Sequence, residues 1–259
     1  MKKHYLAALL ATGLVTTSFL APLAQADTIL GVYAGVEGWR SETTGNFSEG
    51  NGTSESFNFE DESLTNFYVA LEHPIPLVPN VKIKHNEIEV NGTTTLTSGF
   101  EFGDTVYQVG SKANAVSDLS HNDFVFYYEI FDNSLVSIDL GFNIKQFDGS
   151  IAVTGTDGTN TISEKENFSG YVPLGYAALE AGLPFTGLSV FFEGSLLAID
   201  DSKIQDYQVG VAWEVIDNMA VDVAIKLGYR SLLLELDDVD DITTDLEVEG
   251  PFLGVQVHF

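Results

Sequence analysis

The chain has 259 residues, with 38 Asp and Glu against 11 Lys and Arg, a formal net charge of −27 and no cysteine. Such a balance leaves nucleic acid without the basic surface that phosphate recognition needs. The missing cysteine excludes disulfide staples, thiolate catalysis and cysteine-bound metals.

The N-terminus reads as an address. Lys2, Lys3 and His4 precede an apolar stretch over residues 5–23, and Ala24-Gln25-Ala26 supplies the small-x-small pattern read by a signal peptidase. Cleavage is expected after Ala26, making residues 1–26 a signal peptide and residues 27–259 one mature domain, since no linker or internal repeat divides them. A retained anchor is the alternative, but Gly13, Thr16, Thr17, Ser18 and Pro22 dilute the run. No later segment reaches the roughly 18 apolar residues of a spanning helix. A mature chain that stays in a membrane must therefore be a closed barrel, the other structure that pairs every backbone group in lipid.

From residue 30 onward the apolar residues recur with a period of two, the mark of strands with one apolar and one polar face. Segment 30–39 sets Leu30, Val32, Ala34 and Val36 against Gly31, Tyr33, Gly35 and Glu37, and segment 66–72 alternates Phe67, Val69 and Leu71 with polar or small residues. Segment 81–90 is the least regular. Its apolar positions change face between Ile83 and Ile88, which a bulge would explain. Segment 123–131 puts Phe124, Phe126, Tyr128 and Ile130 outward, and segment 135–145 sets Val136, Ile138, Leu140, Phe142 and Ile144 on one face. Segments 171–181, 188–199 and 207–215 come next, the last with Tyr207, Val209, Val211, Trp213 and Val215 aligned. Segment 220–230 aligns Val221, Val223, Ile225, Leu227 and Tyr229, and 252–259 is the final strand. The most regular of these approach the roughly 9–11 residues of a tilted strand crossing a bilayer. The fold expected is an all-β, antiparallel transmembrane β-barrel of ten strands, with eight as the alternative should 81–90 and its neighbour fail to pair.

The connections alternate as well. Short ones (74–80, 132–134, 182–187 and 217–218) face long polar ones (40–63, 91–122, 147–170 and 234–245), with 200–203 as the short exception. Short periplasmic turns opposite long external loops are a barrel signature.

The C-terminus runs Pro251-Phe252-Leu253-Gly254-Val255-Gln256-Val257-His258-Phe259, with Leu253, Val255, Val257 and Phe259 at every second position. It resembles the terminal strand that the barrel-assembly machinery recognises, and the whole mature chain resembles small Gram-negative outer-membrane β-barrel proteins. The resemblance implies export, escort by periplasmic chaperones, folding by the assembly machinery, and outer-membrane lipid and lipopolysaccharide as surroundings. It carries no activity and no catalytic residues.

Inward positions hold Glu37, Glu72, Glu129, Asp139, Lys145, Glu193, Glu214, Asp222, Lys226 and Arg230. One reading is a plug of paired charges. The other is a narrow conduit, cation-preferring because acids outnumber bases. Ten strands lie near the closed end of the barrel series. The acidic run containing Asp237, Asp238, Asp240 and Asp241 offers hard oxygen ligands for Ca²⁺ or for divalent bridges to lipopolysaccharide phosphates, although it lacks EF-hand spacing. A solvated acidic loop is the plainer reading.

Among catalytic motifs, G-x-S-x-G, H-E-x-x-H and a phosphate-binding glycine loop are all missing. His121 stands beside Ser120 and near Asp123, but adjacent strand residues point to opposite faces, so Ser120 and His121 are not simple partners. Omptin proteases also have ten strands and use external Asp and His residues. Here the pairs Asp200-Asp201, Asp237-Asp238 and Asp240-Asp241 lack a clear histidine companion, and that activity is not carried over. The expectation is a non-enzymatic barrel without a cofactor, structural or surface-interacting in role. A narrow solute channel, a surface hydrolase and a secreted β-sandwich are the alternatives.

Overall fold

The computed structural model describes residues 30–49, 54–103, 105–156, 158–218, 220–239 and 242–259. The expected signal peptide over 1–26 lies outside the described residues, as do Asp240, Asp241 and the side chain of Asp238. The described residues form sixteen strands and no helix. They are β1 (Gly31–Glu49), β2 (Glu55–Ser56), β3 (Asn58–Phe59), β4 (Glu62–Glu72), β5 (Asn80–Glu87), β6 (Glu89–Thr95), β7 (Phe100–Phe102) and β8 (Thr105–Tyr107). The second half holds β9 (Lys112–Asp118), β10 (His121–Asp132), β11 (Val136–Thr156), β12 (Thr161–Leu183), β13 (Leu188–Ile199), β14 (Ser202–Ile216), β15 (Asp222–Val239) and β16 (Ile242–His258).

Ten of these close a ring. Each of β1, β4, β5, β10, β11, β12, β13, β14, β15 and β16 pairs antiparallel with the next, and β16 returns to β1 from Tyr33↔His258 to Glu49↔Ile242. The doubtful segment pairs on both sides, β5 with β4 from Thr65↔Glu87 to Leu71↔Val81 and with β10 from His121↔Asn86 to Tyr127↔Asn80. The count is therefore ten rather than eight. Closure leaves no edge among these strands at the level where the apolar residues face outward, which lipid requires.

The strands run well past that level, and the long connections expected to be polar loops consist largely of strand. Residues 147–170 belong mostly to β11 and β12, which stay paired up to Thr156↔Thr161. Apart from register shifts near strand ends (Glu129/Phe131, Glu214/Ile216 and Leu236/Val239), the direction of the side chains holds along the strands, but the polarity of the two faces exchanges. On β11 the outward residues Leu140 and Phe142 are exposed hydrophobics, while Asn143, Lys145, Phe147, Ile151 and Val153 are all buried on the opposite face. On β15, Leu227 and Tyr229 face out, whereas Lys226, Arg230, Leu232 and Leu234 face in. Segment 81–90 behaves the same way. Lys82, Lys84, Asn86, Ile88 and Val90 are buried in unbroken alternation while Ile83 is exposed, so the expected change of face is a change of surroundings and requires no bulge. Below the exchange the outside meets lipid and the inside is polar. Above it the outside is polar and the inside apolar.

The two neighbours that stop short are β13 and β14, which end at Ile199↔Ser202 around Asp200, whose φ is +52°. The β12–β13 ladder ends at Gly175↔Leu196 and the β14–β15 ladder at Lys203↔Glu235, although β12 continues to Thr161 and β15 to Val239. Above the Asp200 turn the wall is open between β12 and β15. Pro173, with no N–H to donate, stands two residues beyond the last β12–β13 pair.

The exchange of polarity predicts an asymmetric response to charge. Val211→Arg, on the exposed apolar face of β14, is expected to lower unfolding stability in bilayers by ~2–4 kcal/mol. Asn167→Arg, exposed on upper β12, should stay within about 0.5 kcal/mol. Equal losses in denaturant titrations would contradict the assigned level.

Candidate functional site

The interior is layered. At the end with the short turns, periplasmic in barrels of this kind, a cavity of about 350 Å³ is lined by Glu72, Glu129, Asp132, Asp139, Glu180 and other residues. Tyr127 donates its hydroxyl to Glu72 at 2.7 Å and Asn80 donates to Glu129 at 3.1 Å. Asp139 accepts from Ser137 at 3.4 Å in this vestibule. Glu214 is exposed beside the short turns, and Asp222 pairs with His258 at 3.3 Å, so these two sit at the rim rather than in the deep lumen.

Above the vestibule lies a buried layer of paired charges. Glu193 accepts from Lys82 at 2.6 Å, from Gln208 at 3.0 Å and from the Tyr176 hydroxyl at 3.2 Å. Glu37 stands between Lys84 at 3.7 Å and Lys226 at 3.6 Å. Arg230 grips Asp206 in a fork, Nε to Oδ1 at 3.0 Å and Nη2 to Oδ2 at 2.9 Å, a planar match that orients both groups. Lys145 spends its three donors on His121 Nε2 at 2.7 Å, Asp123 at 2.8 Å and Asp206 at 3.0 Å. His121 Nδ1 lies 2.9 Å from the Leu119 carbonyl, so it carries the proton and leaves Nε2 to accept from the ammonium. His121, Asp123 and Asp206 have the spacing of metal ligands, but the Lys145 ammonium already binds all three.

Room for this layer comes partly from Gly35, where a Cβ would collide with the ring of Tyr68, whose hydroxyl donates to Gln256 at 2.6 Å. Lys82 lies 4.4 Å from the centre of the same ring.

Of the charges named from the sequence, Glu37, Lys145, Glu193, Lys226 and Arg230 meet in this layer. Lys82, Lys84 and Asp206 also belong to it, as does Asp123, which the sequence offers only as a neighbour of His121. Their signal was present, because strict alternation within segments 81–90 and 123–131 turns Lys82, Lys84 and Asp123 inward, and extending segment 207–215 by one residue does the same for Asp206. Within the layer the bases are not outnumbered, with Lys82, Lys84, Lys145, Lys226 and Arg230 beside Glu37, Asp123, Glu193 and Asp206. The acid excess lies below, in the vestibule.

Arg230 also joins this layer to the next, its guanidinium 4.8 Å from the Trp39 ring centre. From Trp39 upward the lumen is mostly apolar, with the Ser41 and Thr43 hydroxyls buried among the hydrophobic side chains. Leu64, Ile88, Val90, Leu119, Phe147 and Leu232 are among the residues that pack across it. A second cluster lies beyond, in which the β7–β8 hairpin brings Phe100, Phe102 and Tyr107 against Phe47, Phe57 and Val153. Tyr107 donates its hydroxyl to the Val153 carbonyl at 2.9 Å, and Glu55 holds the approach to the hairpin through the Ser98 N–H at 3.0 Å and hydroxyl at 2.7 Å. Burial raises the Tyr107 phenol above its ordinary pKa. Between the two clusters is a cavity of about 170 Å³, lined mostly by apolar side chains.

The remaining sequence candidates lie outside the interior. Asp237 is exposed near the end of β15, its N–H donating to Ser202 at 3.1 Å. Leu253, Val255 and Phe259 are exposed on one face of the final strand, with Val257 half-buried between them. Phe259 closes the ring by exchanging backbone hydrogen bonds with Val32 at 2.9 and 3.2 Å.

No protein-family model matches the chain, and no curated protein does. Among solved structures, the outer membrane protease OmpT from Escherichia coli aligns with a TM-score of 0.53 and 8% identity, covering 91% of this chain and 98% of that one. Ail, the attachment invasion locus protein of Yersinia pestis, aligns with a TM-score of 0.33 and 12% identity over 88% of this chain and 99% of its own. Neisserial surface protein A gives 0.28 and 10% over 88% and 97%. The likeness to the first is one of fold, and with the closed ring and apolar exterior it makes this chain a ten-stranded barrel of the outer-membrane type.

Proposed function

We propose that the chain is an integral outer-membrane barrel with a sealed lumen and a non-enzymatic role, structural or exerted at the cell surface. The observation that carries this reading is the apolar packing from Trp39 to Val248 lying directly above the paired charges. An ion entering from the vestibule would have to leave the carboxylates and cross a mostly apolar zone, with neutral hydroxyls such as those of Ser41 and Thr43 and no carboxylate to meet it, at a large desolvation cost. A cation-preferring conduit would need the acid excess to continue upward, and it stops at the vestibule. The hydrolase alternative loses its candidate base, because His121 is 2% exposed, faces inward and gives its free nitrogen to Lys145.

The apolar outer face, with Phe67, Val69, Leu140, Phe142, Val211 and Leu227 exposed, supports outer-membrane lipid as the surroundings. Leu253, Val255, Val257 and Phe259 on the closing strand suit recognition by the barrel-assembly machinery after passage with periplasmic chaperones. Lipopolysaccharide would then border the polar upper walls.

In isolated outer membranes the unboiled protein should migrate as a compact form that shifts on boiling, and the purified barrel in planar bilayers should give no conductance steps. Stable, cation-selective steps would overturn the sealed reading. Asp206→Ala, which strands Arg230 and part of the Lys145 shell, is expected to cost ~3–5 kcal/mol in denaturant unfolding. Asp139→Asn in the vestibule should change stability by less than about 0.5 kcal/mol, and similar losses for both would refute the layer as a structural plug.

A further inference from the structure

The 170 Å³ cavity sits between the two apolar clusters, which Phe59 and Phe168 bridge, and is bordered by Phe47 and Ile151 from the upper one and Phe147, Ile204 and Leu234 from the lower. Its origin is local. On upper β12 the inward positions are Phe168, Gly170 and Val172, and the middle one has no side chain. A Cβ built there meets nothing within 4 Å. The same stretch of β12 is the side of the wall left open above the Asp200 turn, with Leu236 of β15 across the gap. Phe168, Val172 and Leu236 are half-buried there, at the edge of the cavity.

Two general facts bear on such a space. Protein interiors are close-packed, and an unfilled void destabilises by the contacts it forfeits. Water does not fill an apolar cavity of this kind, whereas ~150 Å³ lined by Leu, Ile and Phe accepts a benzene ring. One of the few polar lining groups, the Thr244 hydroxyl, is already donated to the Asn46 carbonyl at 2.9 Å. The space thus offers dispersion contacts, little to a polar molecule, and a lateral way in that avoids the sealed lumen.

We infer that the upper barrel binds one small hydrocarbon group, of about benzene size, through the gap between β12 and β15. Two sources carry that chemistry, a free uncharged hydrocarbon and the end of the alkyl chain of an amphiphile. Charge and hydrogen bonding contribute nothing to recognition, and selectivity comes from size. The site lies just above the level of Tyr171, Tyr207 and Tyr229, where apolar molecules leaving or entering the outer leaflet would pass.

The test uses the full barrel in lipid nanodiscs with fluorobenzene and 6-fluorohexanoate as probes, read by ¹⁹F NMR. The expected result is a bound resonance that saturates at one probe per chain, separate from the signal dissolved in lipid. Saturation by fluorobenzene alone assigns a free hydrocarbon, and saturation by 6-fluorohexanoate assigns an amphiphile tail. Gly170→Leu places a side chain in the void and should weaken binding by at least about tenfold, with Val172→Phe as a second filling variant. Gly99→Leu, at another glycine with open space around it, should bind as the wild type does. No saturable resonance with either probe, or an unchanged one in both filling variants, overturns the proposal. A heat-shifted gel band for each variant shows that the barrel has formed, so loss of binding is separable from failure of the fold.

Discussion

Successive side chains of a β-strand point to opposite faces, and nothing short of a bulge alters that order. The whole molecule is built around keeping this alternation fixed while the surroundings change. Except for β13 and β14, which stop at the Asp200 turn, the strands leave the lipid still paired, so the residues that faced acyl chains give way to residues that face water. The inward positions take up the apolar work instead. Lys145 and Phe147 are neighbours on the same inner face of β11, as are Arg230 and Leu232 on β15, and the boundary between two kinds of interior passes between them.

That boundary needs a joint, and Arg230 supplies it. Its charge is met by Asp206 below, and its flat face meets Trp39 above. The chain is poor in cations, with 11 Lys and Arg in all, yet Lys82, Lys84, Lys145, Lys226 and Arg230 are committed to this one layer. Buried ion pairs add little net stability over apolar packing of the same shape, but a missing partner is costly. Such a layer therefore fixes the relative positions of β5, β10, β11, β13, β14 and β15 more than it strengthens them. In a narrow tube the centre must be filled by something, and here each filler also reports whether the strands around it are in register.

The lower half of the barrel was legible because lipid imposes a simple rule. Val136 to Ile144 and Val223 to Tyr229 show one apolar face at strict period two, and both are strands at the expected level. The upper half was hidden by the exchange of faces. A scan that tracks apolar residues loses phase at Gln146 or at Glu87, and the stretch beyond each resembles polar loop because its outward residues are Ser, Thr, Asn and Glu. Segment 91–122 misleads for the same reason, since Phe100, Phe102 and Tyr107 are spaced among Gly, Ser and Thr and only the folded hairpin shows that they point inward. Lys82 and Lys84 were passed over in the segment whose pattern looked worst, and tracking the direction of the side chains rather than their polarity would have found them. The gap above the Asp200 turn leaves slight traces in the sequence, the short connection over residues 200–203 and Pro173 on the strand across from it.

The two halves of each long strand also differ in what holds them together. Within the lipid, the outward leucines and valines gain nothing from leaving water, because acyl chains are as apolar as they are, and order there rests on backbone pairing and packing. The upper clusters around Phe147 and Phe100 are assembled by the hydrophobic effect, like the core of a soluble domain. Unfolding that crown alone exposes apolar surface to water, so it carries nearly all of the molecule's heat-capacity increment, and its stability curves with temperature and declines on cooling. One continuous set of strands thus spans two thermodynamic regimes, with the cold-sensitive one standing outside the bilayer.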